Sequence, residues 1–433
     1  MSNKNKLGLV FFPAFDWAIS KTHPEREERL LYTKDQIIEE GIEDVDNITF
    51  FNPKLAKVED IQRVHFMVPD VKTRLSQSHF ISSGGSIEAF DKVFSKEVDK
   101  SFALIRPPGH HAHRVVYGDR GFCIVNNEAV ALEAVRQKYG DFKAVIVDTD
   151  AHHGDGTQDI YYNDKDTLVI SFHQDGRTLY PGSGSIEEFG GPSAYGYNIN
   201  IPLPPETGEE GFLYILEEVV MPIIEDYKPD LIINSAGQDN HYSDPLTNMN
   251  FTAHGYAVLN KRLNPDIAVL EGGYSIQSAL PYINLGIILA MADMDFSNVI
   301  EPDYDKERIK QKRKITKHIE SLSALILNRW ENKEKLAKKK FKGKEKVERK
   351  RQIYYDTDAI MEEQTQTFYL CDKCFGIDTT KSKNDRLDNI FAISIPRNAC
   401  NECEKKAYKL YEEKEGFTNT YLQDKKNDKY FSK

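Results

Sequence analysis

A chain of 433 residues with a formal charge of -11 and 40% hydrophobic residues is long enough for two or three domains and apolar enough for a sizeable core. Those values exclude wholesale disorder, and the acidic balance disfavours nucleic-acid binding by the chain as a whole. Four of the five cysteines fall in the pairs Cys371/Cys374 and Cys400/Cys403, with Cys123 alone, which argues for thiolate metal ligands rather than a disulfide framework.

The apolar patch in MSNKNKLGLVFFPAFDWAIS is broken by Pro13 and Asp16, so a buried first strand is expected there rather than a signal or membrane segment. Nothing later approaches a spanning run, and a soluble, cytoplasmic protein with no membrane partner is expected. LGLVFF, SFALI, KAVIVD, TLVISF, DLIINS and DIAVLE have strand length, and several are continuously apolar, as strands buried on both faces of a parallel sheet are. NNEAVALEAVRQKYG and GEEGFLYILEEVVMPIIEDY carry helical periodicity between them. Their alternation predicts an α/β fold, a three-layer open and mostly parallel sheet with helices on both sides, over residues 1–300. Residues 301–353 read as a charged helical linker, locally basic in AKKKFKGKEKVERKR. Residues 354–433 read as a small, separate, zinc-ribbon-like domain.

In an open α/β sheet, ligands bind outside the carboxyl ends of the strands, and polar motifs gather there. RPPGHH follows SFALI, DTDAHHGDG follows KAVIV, HQDG follows TLVISF, AGQDNH follows DLIINS, and GGY follows DIAVLE. Residues two apart at a strand end point the same way, so Asp148, Asp150 and His152 share one side in this reading. Asp and His form an oxygen/nitrogen set suited to zinc or another first-row metal, and Asp239 at a neighbouring strand end supplies a third ligand. The adjacent His110 and His111 need partners that fix their tautomers, and Asp148 and Asp155 are available. An Asp-oriented histidine beside activated water is a general base worth roughly 10²–10⁴ in rate. A phenol after two glycines, as Tyr274 is, can reach a developing oxyanion, a contact typically worth about 3–4 kcal/mol, although a lone tyrosine there more often serves packing.

HPEREERL, RPPGHH, GFCIVNN, DTDAHHGDGTQ, SFHQD, YPGSGS, GYNINIPLPP, SAGQD and EGGY occur in this order. Together they resemble the histone deacetylase and acetylpolyamine amidohydrolase superfamily, with its arginase-like α/β fold, over roughly residues 5–295; the EGGY and SAGxD forms are closer to the class II and prokaryotic branches. The resemblance implies Asp150, His152 and Asp239 as ligands of a catalytic zinc. It implies His111 with Asp155 as general base and then acid, His110 with Asp148 as electrostatic partner, and Tyr274 as oxyanion donor. Phe122 and Tyr180 would line a tunnel for an acyl-lysine-like chain. A monovalent cation, K+, would sit on the Ser171 hydroxyl and the carbonyls of Asp148, Asp150, His152 and Phe172. Polyamine-selective relatives carry a Glu seven residues after the third ligand, where this chain has Leu246, and a substrate-backbone Asp has no clear match in SQSHFISSGGS. Cys123 reads as a small core residue.

CDKC and CNEC, separated by about 25 residues, are two C-x₂-C knuckles, the usual way to build a closed Cys₄ zinc site from Cys371, Cys374, Cys400 and Cys403. A unit of this size is expected to hold little core, so that chelation unfolds it. It serves as a strut or protein contact in this reading, with nucleic acid the lesser alternative.

The function expected is a zinc-dependent deacetylase that removes acetyl or another short acyl group from an amine, most readily acetyl-lysine in protein or peptide. The alternatives are an acetylpolyamine or other small-molecule amidohydrolase and, from a different class, a catalytically weak zinc-binding scaffold. A binuclear manganese ureohydrolase is disfavoured, because one Asp-His-Asp set is evident without a second carboxylate cluster. The sequence leaves the oligomeric state open, a homo-oligomer included.

Overall fold

The computed structural model describes residues 5–11, 20, 22–302, 304–307 and 309–433; Pro13 and Asp16 lie outside the described residues. Eight strands build the first sheet: β1 (Leu7–Phe11), β2 (Ile48–Phe51), β3 (Lys100–Leu104), β4 (Ala144–Asp148), β5 (Thr167–Gln174), β6 (Asn198–Leu203), β7 (Leu231–Ala236) and β8 (Ile267–Leu270). Their spatial order is β2-β1-β3-β8-β7-β4-β5-β6, and every neighbouring pair is parallel.

Alternate residues of the strands other than β6 feed two cores, one on either face. Val145 and Val147 of β4 enter one core and Ala144 and Ile146 the other, so a continuous apolar run is what a two-sided strand requires. The helices Glu28–Glu39, Ala253–Leu263 and Ala279–Met291 close the first face through Leu30, Leu259 and Ile283. Gln77–Phe94 and Asn127–Tyr139 close the second through Phe90 and Val130. The result is the three-layer α/β architecture.

The chain leaves β3 and skips two strand positions before β4, which are filled later by β7 and β8. The carboxyl ends of β3, β8, β7 and β4 therefore stand side by side. Register pairs Asp148 with Ser235 and Leu270 with Ala236, so the segments that follow these strands emerge at one level.

Beyond this sheet, Arg313–Glu331 and Lys333–Phe341 are helices. The first buries the stripe Ile315, Ile319, Leu322, Ile326 and Trp330 against the main core, the face spacing of an amphipathic helix. The rest of the charged stretch departs from the helical expectation. Lys346–Tyr355 forms a strand, β9, whose alternate residues are shielded. The period is two, and Arg349 and Arg351 are on the shielded face because their partners, Glu188 and Asp159, belong to the first unit. The second sheet continues with β10 (Ile360–Tyr369), β11 (Ile377–Asn384), β12 (Asn389–Ile395), β13 (Asn419–Asp424) and β14 (Lys429–Ser432) in sequence order.

This C-terminal sheet is neither separate nor poor in core. Ile353, Tyr355, Ile360, Ile390, Ala392 and Tyr421 share a buried cluster with Phe66, Val68, Val115 and Tyr117 of the first unit. Its other face packs Ile377, Ile393, Ile395 and Leu422 under the helix Asn401–Glu413, through Ala407. Ion pairs cross the junction: Arg114 to Asp378 at 2.7 Å, Lys425 to Glu133 at 3.2 Å, and Arg397 to Glu133. This burial and docking argue against the expectation that chelation unfolds this part.

Candidate active site

Four strand ends deliver the site. After β4, Asp150 and His152 turn towards Asp239, which follows β7. His152 Nδ1 lies 2.7 Å from Asp239 Oδ2 and 3.2 Å from Asp150 Oδ1, and one donor atom from each residue falls within 4.8 Å of the other two. Backbone amides aim the carboxylates: Gly272 N–H donates to Asp150 Oδ2 at 2.8 Å and Ala151 N–H to Asp239 Oδ1 at 2.7 Å. Gly272 can come this close because it has no side chain; a Cβ there would stand 2.6 Å from Asp150 Oδ2 and 2.7 Å from Asp239 Oδ2.

This donor set fits a divalent first-row metal. Burial and the Asp150 charge push the Asp239 carboxyl up to about 6. Burial opposes charge on His152, but Asp239 and Asp150 outweigh it and raise its pKa to about 10. Two buried carboxylates this close want a cation, and two oxygens with one imidazole nitrogen match the ligand types of an open catalytic zinc site. His152 keeps 12% side-chain exposure while both carboxylates have none, so the set opens to solvent on the histidine side.

The HH pair after β3 stands alongside. His110 Nδ1 is 3.0 Å from Asp148 Oδ2, and His111 Nδ1 is 2.9 Å from Asp155 Oδ1. Burial disfavours charge on His110, but Asp150 and Asp148 hold its pKa well above the usual value. Burial and the neighbouring His110 charge instead push His111 down to about 3. Tyr274 follows β8; burial keeps its phenol protonated far above the usual range, so it is available as a donor. Its ring packs edge-on to Phe122 with centroids 5.6 Å apart. Tyr180 packs edge-on to His111 at 5.3 Å and to His152 at 6.4 Å. Phe122 and Tyr180 thus stand over the two histidines and Tyr274.

Leu246 is half-buried, and its N–H donates to Asp244 Oδ1 at 2.9 Å. Ser171 pairs in register with Asp148, but its hydroxyl lies 3.0 Å from His173 Nδ1. Phe172 is buried and stacks on Phe212. Cys123 lies near His110 and Glu271; burial and Glu271 keep its thiol protonated, a poor state for a thiolate ligand.

Several supporting residues escaped the sequence reading. Asp244 accepts from the Tyr274 N–H at 2.7 Å as well as from Leu246, and burial with the Asp239 charge pushes it up to about 8. Glu271 accepts from the N–H groups of Gly109 and His110 at 2.7 and 3.0 Å. Arg120 and His113 hold Asp155 at 2.6 and 3.2 Å. Within HPEREERL, Glu25 pairs with Arg106 at 2.7 Å, and Arg29 Nε donates to the Gly273 carbonyl at 2.9 Å, which braces the turn that presents Tyr274. Two segments carried a local signal: HPEREERL, with its dense charge beside an apolar run, and EGGY, which holds Glu271.

At the far end of β10, Cys371, Cys374, Cys400 and Cys403 converge within 4.8 Å. Cys371 Sγ and Cys400 Sγ are 3.9 Å apart, too long for a disulfide and close to the edge, about 3.8 Å, of a tetrahedron with Zn–S bonds of about 2.3 Å. Lys373 and Gly376 N–H groups donate to the sulfurs of Cys371 and Cys374. The cluster fits a structural metal.

Residues 69–284 match the family model of the histone deacetylase domain. A probable deacetylase of Archaeoglobus fulgidus is 43% identical over 357 residues, covering 75% of this chain and 98% of that protein. The acetoin utilization protein AcuC of Bacillus subtilis is 30% identical over 333 residues, covering 68% of this chain and 84% of that protein. Among solved structures, the HDA15 HD domain superposes with a TM-score of 0.65 at 25% identity, covering 78% of this chain and 99% of that one. The α/β sheet with its polar cluster at the central strand ends is that of a deacetylase-type amidohydrolase. The chain belongs to the histone deacetylase family.

Proposed function

We propose that the protein is a zinc-dependent deacetylase that hydrolyses acetyl or short acyl groups from an amine, with acetyl-lysine in protein or peptide the leading substrate. One observation carries this reading: His110 and His111, each tied through Nδ1 to its own carboxylate, Asp148 and Asp155, stand side by side next to the Asp150, His152 and Asp239 set. Neighbouring titratable groups whose surroundings push their pKa values apart divide acid and base roles.

Asp150, His152 and Asp239 would hold the zinc, which when bound supplies Lewis acidity towards water and the acyl carbonyl. His111, neutral and oriented by Asp155, takes a proton from the attacking water at Nε2. His110, kept positive by Asp148 and Asp150, stabilises the negative charge that gathers during attack. The Tyr274 hydroxyl donates to the acyl oxygen as it becomes an oxyanion. His111 then returns the proton to the departing amine, and a carboxylate and a free amine leave. Phe122 and Tyr180 flank the acylated chain and keep water from its sides.

Zinc-loaded protein assayed side by side on acetyl-lysine peptides and acetylated polyamines tests the reading. Acetate release from the peptide supports it; release from the polyamines alone moves the substrate to small molecules. Absence of release from both contradicts the deacetylase reading.

A further inference from the structure

The C-terminal sheet reaches the candidate active site at the turn between β9 and β10. Asp356 Oδ1 accepts a hydrogen bond from the Tyr180 hydroxyl at 3.0 Å and another from the Gly121 N–H at 2.9 Å. Two residues on, Asp358 Oδ2 accepts from the Asp119 N–H at 2.7 Å. A Cβ on Gly118 would meet Asp358 Oδ2 at 2.1 Å, so the loop is shaped to receive this turn. Both strapped elements touch the proposed base. The Tyr180 ring packs against His111, and a Cβ on Gly121 would stand 2.5 Å from His111 Cδ2 and 3.0 Å from Tyr180 Cε1.

The backbone needs the strap. Gly121 and Phe122 have φ of +54° and +67°. Glycine takes that region freely, but a bulky residue such as Phe122 holds it only where its surroundings over-determine it. Asp356 anchors the amide immediately before Phe122, and the same oxygen fixes the aromatic ring of Tyr180. One carboxylate thereby anchors the Tyr180 ring, which packs on His111, and the residue before Phe122, whose ring packs on Tyr274.

We infer that Asp356 is a positioning residue for substrate binding, and that the C-terminal sheet is a working part of the active site rather than an appendage. It acts through Phe122 and Tyr180, which hold the acylated chain in the ground state. His111 and Tyr274 have their own anchors in Asp155 and Asp244, so the chemical step is insulated from its loss.

The inference rests on the deacetylase reading, and its test is a kinetic comparison of the full zinc-loaded chain with D356A and D356N. Charge-assisted hydrogen bonds of this kind are strong enough that D356A is expected to raise KM by about tenfold or more, with kcat changed by less than about threefold. D356N keeps an acceptor oxygen for both donors and is expected to restore KM to within about threefold of wild type. A wild-type KM for D356A, or equal impairment of D356N and D356A, overturns the inference. Should D356A fold poorly, Tyr180→Phe removes only the hydroxyl that Asp356 accepts from, and an unchanged KM there also overturns it. If the wild-type chain releases no acetate, the deacetylase reading fails on its own. Hydrogen exchange at the Gly121 amide then reads the strap directly: slow in wild type and D356N and fast in D356A supports it, and equal rates in all three overturn it.

Discussion

His110 and His111 lie with ring centroids 4.1 Å apart and planes tilted by 46°, yet their surroundings push their pKa values in opposite directions. Burial disfavours charge on His110, but Asp150 and Asp148 outweigh it and raise its pKa, while burial and the neighbouring His110 lower that of His111. Asp155 does not reverse this, because Arg120 and His113 already share its negative charge. The pair thus favours the charged form on one ring and the proton-accepting form on the other within a single dipeptide.

Replacing the acceptor alone separates the two roles. His111→Gln keeps a polar side chain of similar reach but cannot take up a proton. Its kcat is expected to fall by roughly 10²–10⁴, with a wild-type circular dichroism spectrum. A loss below tenfold in steady-state kinetics would remove His111 from the proton transfer.

Asp244 ties the loop after β7 to the turn after β8 by accepting from both Leu246 and Tyr274. Asp244→Ala leaves two amides without a buried acceptor, a cost of about 1–3 kcal/mol each, and frees the backbone of Tyr274. The expected outcome is a fall in kcat of about tenfold or more together with a lower melting temperature. Unchanged kcat at a lowered melting temperature would show that Asp244 supports the fold without placing Tyr274.

The junction between the two sheets titrates with a definite sign. Burial opposes ionisation of Glu133, but Arg397, Lys425 and Arg136 outweigh it and hold its carboxyl well below the usual value of 4.5. A carboxyl depressed in the folded state contributes stability that is fully present above its ordinary pKa and is lost as pH falls towards the folded value. The gap in melting temperature between wild type and Glu133→Gln is therefore expected to be widest near neutrality and to narrow as pH falls below about 4.5. Calorimetry across that range checks it, and a gap that widens in acid contradicts the assignment.

Removal of the cysteine-held metal is expected to act locally. Because the second sheet has one apolar cluster of its own and shares another with the first unit, Cys374→Ala should lose one equivalent of tightly bound zinc and keep the other. Faster hydrogen exchange should be confined to the segments around residues 370–376 and 399–404. Global unfolding of the second sheet, or two equivalents of zinc retained, would contradict the structural role.

The legible parts of the sequence were those in which a residue's environment is set by its own segment. β1, β3, β4, β5, β7 and β8 are apolar runs that announce a two-sided strand, and the motifs after five of them met at one rim because parallel strands share a carboxyl edge. β2 and β6 sit at the sheet's two edges, and the Asn/Ile alternation of NINIPL hides β6. β9 was read as helix because its charges look solvated, whereas Arg349 and Arg351 find their carboxylates on a different unit. Asp244 and Asp356 were invisible for the same reason: each accepts backbone or hydroxyl donors brought to it by the tertiary fold, and no spacing along the chain marks them.

The most direct test of the central claim is acetate release from an acetyl-lysine peptide by zinc-loaded wild type and Tyr274→Phe. The substitution removes only the hydroxyl assigned to the oxyanion, so it is expected to lower kcat by about 10²–10³ with little change in KM or melting temperature. Equal turnover by the two proteins, or acetate release by neither, would contradict the account.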